Sequence, residues 1–136
     1  MLNRRYRFPL LALLLALLTG CGGRQGDPVA GRALYQQETI GDRQAPGCIT
    51  CHAMVEGQVS VGPPHDGLAG RAEARIRAQD YRGQATTAAE YLEESILLPN
   101  AYVVDGYQPG VMYAQYEEVL TDEQIDDLVA YILTLH

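Results

Sequence analysis

The chain has 136 residues, 47% of them hydrophobic, which is enough for one packed domain, too few for two, and too apolar for disorder. Its net charge is −7 and it contains no lysine. The first 20 residues hold Arg4, Arg5 and Arg7 and no acid, so the rest is three charges more negative than the whole. Nucleic acid is excluded as a partner, because phosphates need basic patches. An acidic surface suits a basic partner face or a fixed place in a larger assembly.

The opening segment reads as an address. Arg4, Arg5 and Arg7 lead into an apolar run from Phe8 to Leu18, followed by small residues, the order of a secretory signal. A run of this length is short for a helix crossing a bilayer core. Leu18-Thr19-Gly20-Cys21 resembles a bacterial lipobox, whose cysteine is acylated and becomes the new N-terminus. On that basis residues 1–20 are expected to be a lipoprotein signal peptide. Residues 21–29 are an acylated Cys21 with a Gly-rich tether, and residues 30–136 are the folded domain. A plain signal peptide, or a short uncleaved anchor with Cys21 incidental, is the alternative. The tether spans roughly 15–17 Å root-mean-square, and two or more acyl chains make an attachment stable. The expected location is the outer face of a bacterial cytoplasmic membrane, lipid-anchored.

Gly31 to about Gln37 reads as a short first helix with Leu34 and Tyr35 as its apolar contacts. The strongest signal follows: Cys48-Ile49-Thr50-Cys51-His52. Two cysteines at this spacing can each form a thioether with one haem vinyl group. The histidine directly after them can ligate the iron. A redox disulfide wants a surrounding βαβ pattern, which is missing from the sequence. A structural zinc site wants four ligands, and Cys21 is the sole remaining cysteine. One cysteine for lipid and two for one covalent haem c leave none for a disulfide.

His65 lies in the turn-rich Gly62-Pro63-Pro64-His65-Asp66-Gly67; it is expected to be at the surface or partly buried, and is a reserve iron ligand. A second, Arg-rich helix is expected from Gly70 to about Ala78. Thr87-Ala88-Ala89-Glu90 has capping-box spacing and opens a third through Tyr91, Leu92, Ser95 and Ile96, stopped by Pro99. The loop beyond it contains Met112. A methionine opposite the histidine would fill the iron's second axial position and raise its potential. Met1 leaves with the signal and Met54 is too close to His52, so Met112 is the expected ligand. Tyr102, Tyr107, Tyr113 and Tyr116 crowd this loop and read as aromatic packing. Thr121-Asp122-Glu123-Gln124 is a second capping box with acids in the first turn. Ile125, Leu128, Val129 and Ile132 follow at helical spacing. No strand-like alternation of useful length appears. The fold class is all-α: about four short helices wrapped around a covalently bound haem, without which the chain should fold poorly.

This order of features resembles class I cytochromes c over essentially the whole mature chain. The resemblance implies that the first and last helices cross through Gly31, Tyr35 and Tyr131. Gly62-Pro63-Pro64-His65-Asp66-Gly67-Leu68-Ala69-Gly70-Arg71 is similar to the family's Gly-Pro-x-x-x-Gly-Leu-x-Gly-Arg segment. That match implies that the Pro63 carbonyl accepts a hydrogen bond from His52, and that Arg71 pairs with a haem propionate. It puts His65 where the family often has a buried leucine. The family's lysine-rich ring around the haem edge is missing. The implied function is one-electron transfer rather than catalysis, in a respiratory or photosynthetic chain, with membrane-bound redox complexes as donor and acceptor. The protein would be a tethered shuttle or a haem subunit of a larger complex. A peroxidase or gas sensor with an open sixth position is the alternative.

Overall fold

The computed structural model describes residues 25–136 apart from positions 56 and 59. Four helices are present among the described residues: α1 (Pro28–Tyr35), α2 (Leu68–Ile76), α3 (Ala88–Leu97) and α4 (Asp122–Ile132). A two-residue antiparallel pair, β1 (Thr39–Ile40) and β2 (Ala45–Pro46), stands between α1 and the CxxCH motif. Single 3₁₀ turns cover Cys48–Thr50 and Tyr116–Glu118. The class is all-α, as expected. Among the described residues no helix is long and apolar enough to cross a membrane.

The caps decide where the helices begin. Thr87 accepts from the Glu90 N–H while the Glu90 carboxylate accepts from the Thr87 N–H, and Thr121 and Gln124 do the same at α4. Each box satisfies two N–H groups that a helix start otherwise leaves without partners. At α1 the cap is Asp27, whose carboxylate accepts from the Val29 N–H at 2.8 Å, with Pro28 at the first helical position. Proline suits that position because its missing N–H is not needed there. The helix therefore takes in Pro28 and Val29, which the sequence had suggested belonged to the tether. Cys21 and the expected signal segment lie outside the described residues.

The core forms where α1 meets α4. Ile125, Leu128, Val129 and Ile132 are all buried on one face of α4, each contributing about 1.5–3 kcal/mol relative to exposure. Tyr35 is fully buried, its ring edge-on to Tyr131 at 5.2 Å. The two backbones come so close at Gly31 that a Cβ there would overlap the Asp127 carbonyl and press on the Tyr131 Cβ. The Asp27 N–H also donates to the Asp127 carboxylate at 2.6 Å, fastening the start of α1 to the side of α4. Chemical unfolding of the haem-loaded protein tests this crossing. Gly31→Ala should cost about 1–3 kcal/mol or more, since neither backbone can yield. Thr121→Ala, which removes half a capping box, should cost about 1 kcal/mol. A Gly31→Ala midpoint equal to that of the parent would mean that the crossing relaxes freely.

Candidate haem-binding site

The β1–β2 pair delivers the chain to the CxxCH motif in a fixed position. The Gly47 N–H donates to the Glu38 carbonyl at 2.8 Å, and the Tyr116 hydroxyl donates to the Pro46 carbonyl at 2.7 Å. Cys48–Thr50 then turn as a 3₁₀ helix. The N–H groups of Cys51 and His52 both donate to the Cys48 carbonyl, at 3.2 and 2.9 Å, and the Thr50 hydroxyl donates to Gly47. Both thiols and the imidazole thus issue from one short turn. The thiols are free, and Cys48, Cys51 and His52 line a single cavity of about 600 Å³. Burial raises the Cys48 thiol to about 11, so it is neutral at ordinary pH.

The His52 ring is oriented by the segment that runs beside it. Its Nδ1–H donates to the Pro63 carbonyl at 2.8 Å, which fixes the tautomer and leaves the Nε2 lone pair available to a metal. Burial lowers the His52 pKa, against the opposing effect of the Pro63 bond, so the ring stays neutral as ligation requires. The Gly62 N–H donates to the Cys51 carbonyl at 2.7 Å. A Cβ on Gly62 would lie against the His52 ring; the backbone can pass this close because the residue is glycine.

Leu92 and Ile96 of α3 supply apolar wall to the cavity, and Tyr102, Tyr107, Tyr113 and Tyr116 crowd it as expected. Met112 lines it as well, from a loop closed by the Gly110 N–H donating to the Asn100 side-chain carbonyl at 2.7 Å. Met54 and His136 are not among the lining residues. The volume is that of a small-molecule or cofactor site, and two thiols, one oriented imidazole and apolar walls fit a covalently attached haem. A zinc centre does not fit: among the described residues no three His, Cys, Asp or Glu side chains cluster to hold an ion. The Cytochrome c family model matches residues 28–136. The protein belongs to the cytochrome c family. A search of the curated proteins gives no match.

One expectation about this cytochrome needs correction, that for His65, and the two arginines of α2 take different places. Arg71 does not line the cavity; its guanidinium donates to the Pro64 carbonyl at 2.6 Å and so braces the loop that holds His52. The arginine that does line the cavity is Arg75, one turn further along α2, donating to the Tyr91 hydroxyl at 3.3 Å. The spacing from Arg71 to Arg75 puts both on one helix face, a signal that was legible in the sequence. His65, in turn, is neither at the surface nor a reserve ligand. It is 8% exposed, its ring stacked on that of His52 with centroids 4.0 Å apart, and so lies beside His52 and not across the cavity from it. Burial, then the neighbouring His52, Arg71 and Arg75, push its pKa down to about 2.

Thioether attachment has a direct spectroscopic check. Cys48→Ser and Cys51→Ser each leave one haem vinyl unreacted, which extends ring conjugation. The reduced pyridine haemochrome of each variant should absorb at longer wavelength than that of the parent. An unshifted band in either variant would mean that its sulfur forms no bond to haem.

Proposed function

We propose that the protein is a membrane-tethered, mono-haem c-type cytochrome that carries one electron at a time, with His52 and Met112 as axial ligands. The single observation that carries this reading is the donor set: Cys48, Cys51, His52 and Met112 all line one apolar cavity. When bound, the haem supplies the Fe(III)/Fe(II) couple. The chain's own residues hold, orient and seal it. Cys48 and Cys51 would anchor its edge, His52 would present a lone pair fixed by Pro63, and the Met112 thioether would be the second protein donor to the iron, raising the potential. The apolar wall keeps water from the iron, which favours electron exchange over chemistry on bound small molecules.

The lipobox supports acylation at Cys21 and a place on the outer face of a bacterial cytoplasmic membrane. Donor and acceptor are then membrane-bound redox complexes, and the lysine-free, net-acidic chain favours a basic docking face. Whether the protein travels as a shuttle or resides in a larger complex is read from gentle solubilisation: a shuttle comes off alone, and a subunit stays with its partners.

Carbon monoxide is the probe for the sixth position. The reduced parent should show no spectral change under the gas. Met112→Ala should bind it readily and show a lowered reduction potential. Binding by the parent would instead support a peroxidase or gas-sensing role. Anchoring is checked by growth on labelled palmitate. The parent should carry label and partition into detergent, and Cys21→Ser should lose both properties; retention of label by the variant would remove Cys21 as the acylation site.

A further inference from the structure

His65 is a buried imidazole that neither the haem attachment nor the second axial position accounts for. Its ring lies over that of His52 at 4.0 Å, with 26° between the planes. Its Nδ1 is 2.9 Å from the Tyr35 hydroxyl, and the contact is buried. The contact pairs one hydroxyl with one ring nitrogen, and the imidazole tautomer decides which of the two donates. The backbone pins His65 as well: its N–H donates to the Ala53 carbonyl at 2.8 Å, and its carbonyl accepts from the Leu68 N–H at 3.1 Å. On its far side Tyr35 packs edge-on against Tyr131 of α4. A continuous line of contact thus runs from the α1–α4 crossing through Tyr35 and His65 to the face of His52.

We propose that His65, held by the Tyr35 hydroxyl, is a positioning residue that sets the rotation of the His52 ring about its bond to iron. This rests on His52 being the axial ligand. Pro63 holds the His52 ring at one edge through Nδ1, a contact that still allows the plane to rock. The stacked His65 ring blocks that motion on one face. It cannot retreat without leaving the Tyr35 hydroxyl buried and without its partner, a state that burial disfavours. A leucine at position 65 would fill similar space and form no hydrogen bond with Tyr35, so the two polar residues make sense only together.

The orientation of the axial imidazole plane sets how unpaired spin is shared among the four haem methyl groups of the low-spin ferric protein. In the cyanide adduct the linear ligand replaces methionine, so the methyl pattern reports the histidine plane alone. The test is proton NMR of the matured, haem-loaded, full-length protein with cyanide, comparing the parent with Tyr35→Phe, His65→Leu and the double variant. Tyr35→Phe removes one hydroxyl and keeps the ring contact with Tyr131. The expected result is a changed order or spread of the methyl resonances in both single variants, with the double variant matching His65→Leu. An unchanged pattern in Tyr35→Phe, even with a lowered unfolding midpoint, would overturn the proposal and leave His65 as core filling. If His65→Leu fails to fold, Tyr35→Phe alone decides the matter. A parent without a histidine-ligated iron spectrum would overturn the His52 assignment itself, and this proposal with it.

Discussion

The contact on which the rest depends is the approach of two helix backbones at Gly31. That residue has no side chain, so α1 lies directly on the Asp127 carbonyl of α4, and Tyr35 enters the core against Tyr131. This crossing closes the chain into a ring. Within the ring α2, α3 and the Met112 loop are arranged around a cavity of about 600 Å³. A domain of this size has little core to spare, and much of its apolar surface faces a space suited to a flat, apolar cofactor. In this family fold and cofactor binding are one problem: the side chains that would form a core elsewhere form the cofactor's walls here.

The polar groups around that space are few, and each has a task. Pro63 and Gly62 orient His52 through the backbone, so no side chain is needed there and none would fit. Arg71 and Arg75 divide the work of α2 between them, one bracing the Pro64 carbonyl and the other entering the cavity wall. The exposed ion pairs Arg43–Glu118 and Arg77–Glu73 contribute little, as exposed pairs generally do. Among the described residues no buried side-chain nitrogen or oxygen lacks a partner. That state leaves little polar freedom near a metal centre to reorganise when an electron arrives.

Much of this could be read from the sequence because the signals were local. The two capping boxes at Thr87 and Thr121 fixed helix starts to the residue, and the CxxCH spacing is a chemical constraint within five positions. The failures have a common cause, which is information held in distant contacts. Pro28 resembles tether until Asp27 is seen capping a helix. The β1–β2 pair is two residues long on each side, too short for any alternation to show. His65 looks like a turn histidine, because nothing nearby announces Tyr35, thirty positions earlier.

The hydrogen bond between Asp27 and Asp127 joins residues 100 positions apart. It is short in space and nearly as long in sequence as the domain allows. Loop-closure entropy must be met before so distant a contact gives anything back. A chain made from its N-terminus presents Cys48, Cys51 and His52 well before the eleven residues of α4 exist. During that interval α1 has no helix to lie on, and the attachment turn stands on an open chain. The last of the four described helices is therefore the one that closes the structure against α1. Closure of the domain waits on α4, while the chemistry it serves is encoded nearer the beginning of the domain.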